Sequence, residues 1–190
     1  MNKDHVIESL KSESYRIEED SIYSSKGHYN AAARWKALHS ALSVISIVCS
    51  TVVASSVSED VRSFGLLTIS KLGINSIDHF FAFLTFAFSA TAAISTSLIS
   101  FLKPERKEES HRISAGNYNS LKNRARIYRT IDLMSDDSID SLRAKLDSIS
   151  ETRNSLNMES IPIPKWAYAL AKKGIEELGE ATYKVDTKGV

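Results

Sequence analysis

Polar and apolar positions are segregated along this chain, not interleaved. Residues 37 to 58 and 79 to 102 contain no Asp, Glu, Lys or Arg, while the segments around them are densely charged. At about 1.5 Å per residue, each uncharged run is long enough to cross a hydrocarbon layer about 30 Å thick. A soluble helix averages about 11 to 12 residues and keeps a solvated face. A 22-residue run without charge on any side has no such face. The pattern therefore predicts two spanning helices, at 37–58 and 79–102, joined by a short external link over 59–78.

The rest of the chain reads as helix outside the membrane. Val6, Leu10 and Ile17 recur at helical spacing and predict an amphipathic helix over 3–23. Gly27 is expected to interrupt it, and a helix from about 29 then runs into the first span. Asn75, Ser76 and Asp78 are candidate N-caps for the second span. Lys103-Pro104 predicts a break or a fresh helix start. From Glu105 to about Thr130, His111, Ser114, Tyr118, Leu121, Ala125 and Tyr128 share one helical face. Asp136, Asp137 and Ser138 are cap candidates for a helix carrying Ile139, Leu142, Leu146 and Ile149. Ile161-Pro162-Ile163-Pro164 must be extended, because proline disfavours helix in the residue before it. Lys165 to Glu180 returns to helix, with Trp166, Ala169, Leu170 and Lys173 expected near one side, and residues 181–190 are expected to fray. The predicted fold class is all-α: a two-transmembrane helical hairpin with a cytosolic N-terminal helix and a C-terminal helical region. It is read as one domain over 1–190, with cytosolic parts at 1–36 and 103–190.

Charge placement orients the hairpin. Lys26, Arg34 and Lys36 precede the first run, and Lys103, Arg106, Lys107 and Arg112 follow the second. The only cations of the link are Arg62 and Lys71. The positive-inside rule then places both termini of this multi-pass protein in the cytoplasm. Trp35, between two cations, suits the headgroup layer. The charged segment of 36 residues before the first run argues for an anchor and against a cleaved leader. The net charge of +1 excludes a broad field for nucleic acid, and direct nucleic-acid binding is not expected.

Candidate chemistry is sparse. Cys49 is the sole cysteine, so no disulfide forms within the chain. His5, His28, His39, His79 and His111 are scattered without metal spacing, and no glycine-rich phosphate loop is present. No catalytic residue, cofactor or metal is expected, and the chain is not read as an enzyme. No cluster in the sequence resembles a nucleotide pocket. His39 and His79 are read as interfacial residues able to titrate, and His111-Arg112 as a cationic pair facing lipid phosphate, an acidic neighbour or solvent.

Polar residues inside the spans are ordered. Ser40, Ser43, Ser46, Ser50 and Ala54 form a stripe on the first. On the second, Thr85, Ser89, Ala92, Ala93, Thr96 and Ser100 share a face. Small residues at intervals of four let helix backbones approach closely. The stripes are read either as packing faces or, after oligomerisation, as lining of a hydrated path. Two helices enclose no lumen, so a channel needs several copies.

This order of parts resembles the SLATT superfamily, two-transmembrane-helix effector domains of prokaryotic conflict systems. The resemblance rests on a polar helix carrying Asn30, Arg34 and His39 into the first span, then the link and second span. After these come the stretch from His111-Arg112-Ile113-Ser114 to Leu121 and the final Ile161-Pro162-Ile163-Pro164-Lys165-Trp166 segment. It covers nearly the whole chain. It implies a pore-forming or membrane-disrupting effector of antiviral defence, held off until a partner detects infection. Lipid, a homo-oligomer and a sensor protein encoded nearby are the implied partners. Arg34 belongs to the matching juxtamembrane pattern. His111, Arg112, Tyr118 and Leu121 carry over as structural parts of the post-span helix. The rival readings are a non-conducting membrane scaffold and a soluble helical interaction protein.

Overall fold

A computed structural model describes residues 3–56 and 77–181, with the backbone alone for 77–80. The predicted link, its candidate caps Asn75 and Ser76, and residues 182–190 lie outside the described residues. Every described element is helical: α1 (Lys3–Ser56), α2 (Ile77–Leu102), α3 (Pro104–Thr130), a 3-10 turn (Asp132–Met134), α4 (Ile139–Glu159) and α5 (Lys165–Glu176). α1 and α2 each contain a stretch long and apolar enough to cross a membrane. The chain divides into two compact units. Unit 1 comprises Met1–Arg34 with Arg106–Val190, and unit 2 comprises Trp35–Glu105.

The expected interruption at Gly27 is not there: α1 runs unbroken from Lys3 to Ser56. A single glycine costs a helix only about 1 kcal/mol relative to alanine, and here the missing side chain is used. A Cβ on Gly27 would sit 3.0 Å from Ile163 Cγ2, so the extended Ile-Pro-Ile-Pro strap passes over the helix at this one position.

Unit 1 is built from the N-terminal part of α1, α3, α4 and α5. Its apolar core joins Ile17 to Tyr118, Leu121, Ala125 and Tyr128 of α3 and to Leu142, Leu146, Ile149 and Leu156 of α4. The α3 positions are those the periodicity assigned to one face. Partner numbers run in opposite senses along the contacts: Glu18 with Arg129 and His28 with His111 between α1 and α3, Tyr128 with Leu142 and Tyr118 with Asn157 between α3 and α4. The contacting helices are therefore antiparallel, and for α3 and α4 the short connection between them demands it.

The connections are specified locally. Lys103 takes φ 46, a left-handed conformation unusual for a residue with a side chain, and Pro104 opens α3 at the position where a missing N–H costs nothing. Ser138 caps α4, its hydroxyl accepting from Ser141 N–H at 3.2 Å. Lys145 Nζ bridges Asp132 and Asp137, at 2.6 and 2.8 Å, which ties the 3-10 turn to the start of α4.

α5 ends at Glu176, short of the expected Glu180. Trp166, Ala169, Leu170 and Lys173 are exposed, and the buried side is Ala167, Ala171 and Gly174. Small residues spaced by four and three let α5 lie close to α1. Asn30 donates to the Ala167 carbonyl at 3.3 Å, and the Arg34 guanidinium covers the Trp166 ring at 4.7 Å.

Candidate functional site

Two groups of residues in unit 1 and one in unit 2 stand apart from ordinary packing. The first lies on the seam of α1. Val6, Ser14, Ile17, Ser21, Ser25, His28 and Ala32 are buried, with Leu10 half-buried between them. Their spacing of four, four and three residues repeats every eleven. Much of this seam is polar, so hydrogen bonds must compensate for burial. Ser21 donates to its own turn, and Ser25 donates across to the Ala115 carbonyl at 2.9 Å.

At the end of the seam, His28 and His111 place their Nδ1 atoms 2.9 Å apart, so one ring donates and the other accepts. His28 also stacks on Tyr118, with ring centroids 5.6 Å apart. Burial, reinforced by the neighbouring His111, pulls the His28 pKa down to about 4, and burial lowers that of His111. The expected exposure of His111 to lipid phosphate or an acidic neighbour is therefore replaced by an interior contact with a second imidazole. Arg112 points outward, while Tyr118 and Leu121 are core residues. Sequence alone gave no cue to this pair, whose members lie 83 residues apart.

The second group is a cleft of about 600 Å³, lined by α1, α3 and the turn after α5. Lys26, Lys122, Arg126 and Arg129 line it with Glu18 and Glu180. Arg129 pairs with Glu18 and stacks over the Tyr15 ring at 3.8 Å. Lys26 pairs with Glu180, and burial lowers the pKa of the lysine. The charges lining this cleft come from segments too distant in sequence to form a motif. Among the described residues no group of three metal-ligating side chains occurs.

The third group lies in unit 2. Ser46 and Thr96 hydroxyls are 3.0 Å apart, and those of Ser56 and Thr85 are 3.2 Å apart, so α1 and α2 meet through polar side chains at two levels. Cys49 and Ser95 are buried along the same seam, and Ser43 is half-buried. Ser50, Ser89 and Ser100 are exposed. Ser50 and Ser100 line an open groove with Ala92, Ala93, Thr96 and Ser97. The outer surface of the same helices is apolar. Ile47 is 65% exposed, Phe86 71% and Phe101 83%, and just 6% of the most apolar window of each helix is buried. His39 is half-buried, and the side chain of His79 lies outside the described residues.

Comparison with family models, curated proteins and solved structures yields no match to this chain.

Proposed function

We propose that unit 2 is a transmembrane hairpin with both termini cytoplasmic, and that the protein is a membrane effector which breaches the inner membrane when hairpins assemble. The observation that carries the membrane reading is the open apolar surface of α1 and α2, built from Val44, Ile47, Phe83, Phe86, Ile94 and Phe101. Water would penalise that surface at about 25 cal/mol per Å², whereas a bilayer accepts it. The same helices keep Ser50, Ser89 and Ser100 on exposed faces, where neighbouring copies offer hydroxyl partners or a hydrated path.

The resemblance to SLATT effectors supports a place in antiviral defence, with a partner as sensor and unit 1 restraining assembly. Controlled expression with a membrane-potential dye tests this: triggered cells depolarise. Persistently polarised cells under every trigger would contradict it. Replacing Ser89 and Ser100 by Leu separates a pore from a scaffold. A pore loses conductance on this change, and a scaffold continues to recruit its partner.

A further inference from the structure

We infer, on the membrane-spanning reading of unit 2, that the first two turns of α5 lie in the lipid headgroup layer, where Trp166, Lys165 and Arg34 hold anionic lipid. Arg34 and Trp166 both belong to unit 1, and the guanidinium covers the indole ring at 4.7 Å. Arg34 is three residues before Ala37, the first residue of the uncharged run on the same unbroken helix. That separation is about 4.5 Å of helix rise, so the contact keeps Trp166 near the hydrocarbon edge. The direction of α5 agrees. Asn30 donates to the Ala167 carbonyl, and Tyr23 donates to Glu176 Oε1 at 3.0 Å. The helix therefore runs antiparallel to α1, with its first turn toward the span and its last turn about 10 Å further back along α1.

The chemistry of that end suits an interface. Trp166, Ala169 and Leu170 are exposed together and form one apolar patch on the outer face. An indole ring, with an apolar body and an N–H, fits the boundary between headgroups and acyl chains. The charge around it has one sign. No Asp or Glu occurs from Ser21 to Ser56 on α1, nor from Ser160 to Ile175, a stretch that carries Lys165, Lys172 and Lys173. The acidic residues after the second span, Glu105, Glu108 and Glu109, are on α3 among Arg106, Lys107 and Arg112, so the one-signed patch is that of α1 and α5. Among the described residues neither Arg34 nor Lys165 has a carboxylate partner. Pro164 begins α5 without a side-chain cap, and the positive end of the helix dipole points to the same layer. Cations beside an exposed tryptophan match an anionic leaflet. Two large apolar side chains are too few for the roughly 800 Å² that a stable protein interface takes from each partner, whereas a leaflet requires no such area.

Trp35→Phe leaves Trp166 as the sole tryptophan of the full-length chain. In vesicles of phosphatidylcholine and phosphatidylglycerol, its fluorescence is expected to be quenched by lipids brominated high on the acyl chain and protected from aqueous acrylamide. Brominated phosphatidylglycerol is expected to quench about twice as strongly as brominated phosphatidylcholine at equal content, and Arg34→Gln with Lys165→Gln to remove that excess. Leu178→Trp in a Trp35→Phe, Trp166→Phe background reports from beyond the far end of α5 and is expected to show the reverse pattern. A nitroxide on Leu170→Cys, in a Cys49→Ser background with both tryptophans kept, is expected to relax with oxygen and not with an aqueous nickel chelate, which repeats the test without touching Trp35. Trp166 open to acrylamide overturns the inference. So does a Trp166 shielded from acrylamide yet insensitive to brominated lipid, as under a second copy or a partner protein. Equal quenching by the two brominated lipids overturns the anionic preference. Carbonate extraction of the same variants keeps the two readings apart. Protein retained in the pellet with Trp166 open to acrylamide sinks only the α5 contact, and protein released from the membrane sinks both.

Discussion

Helix α1 is written in two opposite senses. In unit 1 it buries Ile17, serines and His28 and turns Glu8, Arg16 and Glu19 outward. In unit 2 the same helix turns Val44, Ile47 and Val48 outward and keeps Cys49 and the Ser46 and Ser56 hydroxyls toward α2. One continuous backbone thus presents a polar outside in one region and an apolar outside in the other. The contrast is one of outer-surface chemistry along a single helix, and it is the difference that the proposed membrane hairpin explains.

The largest expected effect comes from making the outer face of unit 2 resemble that of unit 1. Ile47→Asp together with Ile94→Asp each costs roughly 2.5–3.5 kcal/mol of insertion at a helix centre. Partition of the double variant between membrane and soluble fractions reads the loss. Wild-type partition would show that the surface faces something other than lipid. In unit 1 the equivalent damage is a core cavity. Leu121→Ala is expected to cost about 2–5 kcal/mol of that unit's stability while leaving membrane partition unchanged. Thermal unfolding in detergent, followed by circular dichroism, measures it.

How far the sequence could be read follows the same contrast. The absence of charge marked the two apolar runs, and the apolar repeat of Tyr118, Leu121, Ala125 and Tyr128 marked the α3 face. The α1 seam was legible only at Val6, Leu10 and Ile17, because Ser14, Ser21 and Ser25 are buried by hydrogen bonding and not by hydrophobicity. On α5 the residues expected near one side, Trp166, Ala169, Leu170 and Lys173, form the outer face, while the buried side of Ala167, Ala171 and Gly174 packs by being small and leaves no apolar repeat to read. Gly27 looked like a breaker, since a sequence does not show the Ile163 strap that uses its bare surface. The basic cleft joins Lys26 to Glu180 across most of the chain, a distance at which no spacing rule operates.

A smaller effect separates the units by pH. His28 has a folded pKa near 4 against about 6.5 when unfolded, so the unfolded state binds the extra proton. Unit 1 therefore loses stability as pH falls from about 6.5 toward 4, by up to about 3 kcal/mol, and the loss levels off below that range. The neutral variant His28→Gln is expected to flatten this slope. An unchanged slope would remove His28 as its cause. Smallest is the polar seam of unit 2. Ser46→Ala is expected to weaken the α1–α2 contact by about 0.6 kcal/mol, with no added loss on combining it with Thr96→Val, as a double-mutant cycle in lipid would show.

Alkaline carbonate extraction of membranes from cells expressing the intact chain tests the central claim most directly. The protein is predicted to stay in the membrane pellet and to dissolve only with detergent. Recovery of folded protein in the carbonate supernatant, or in a detergent-free lysate, would contradict a bilayer-spanning unit 2.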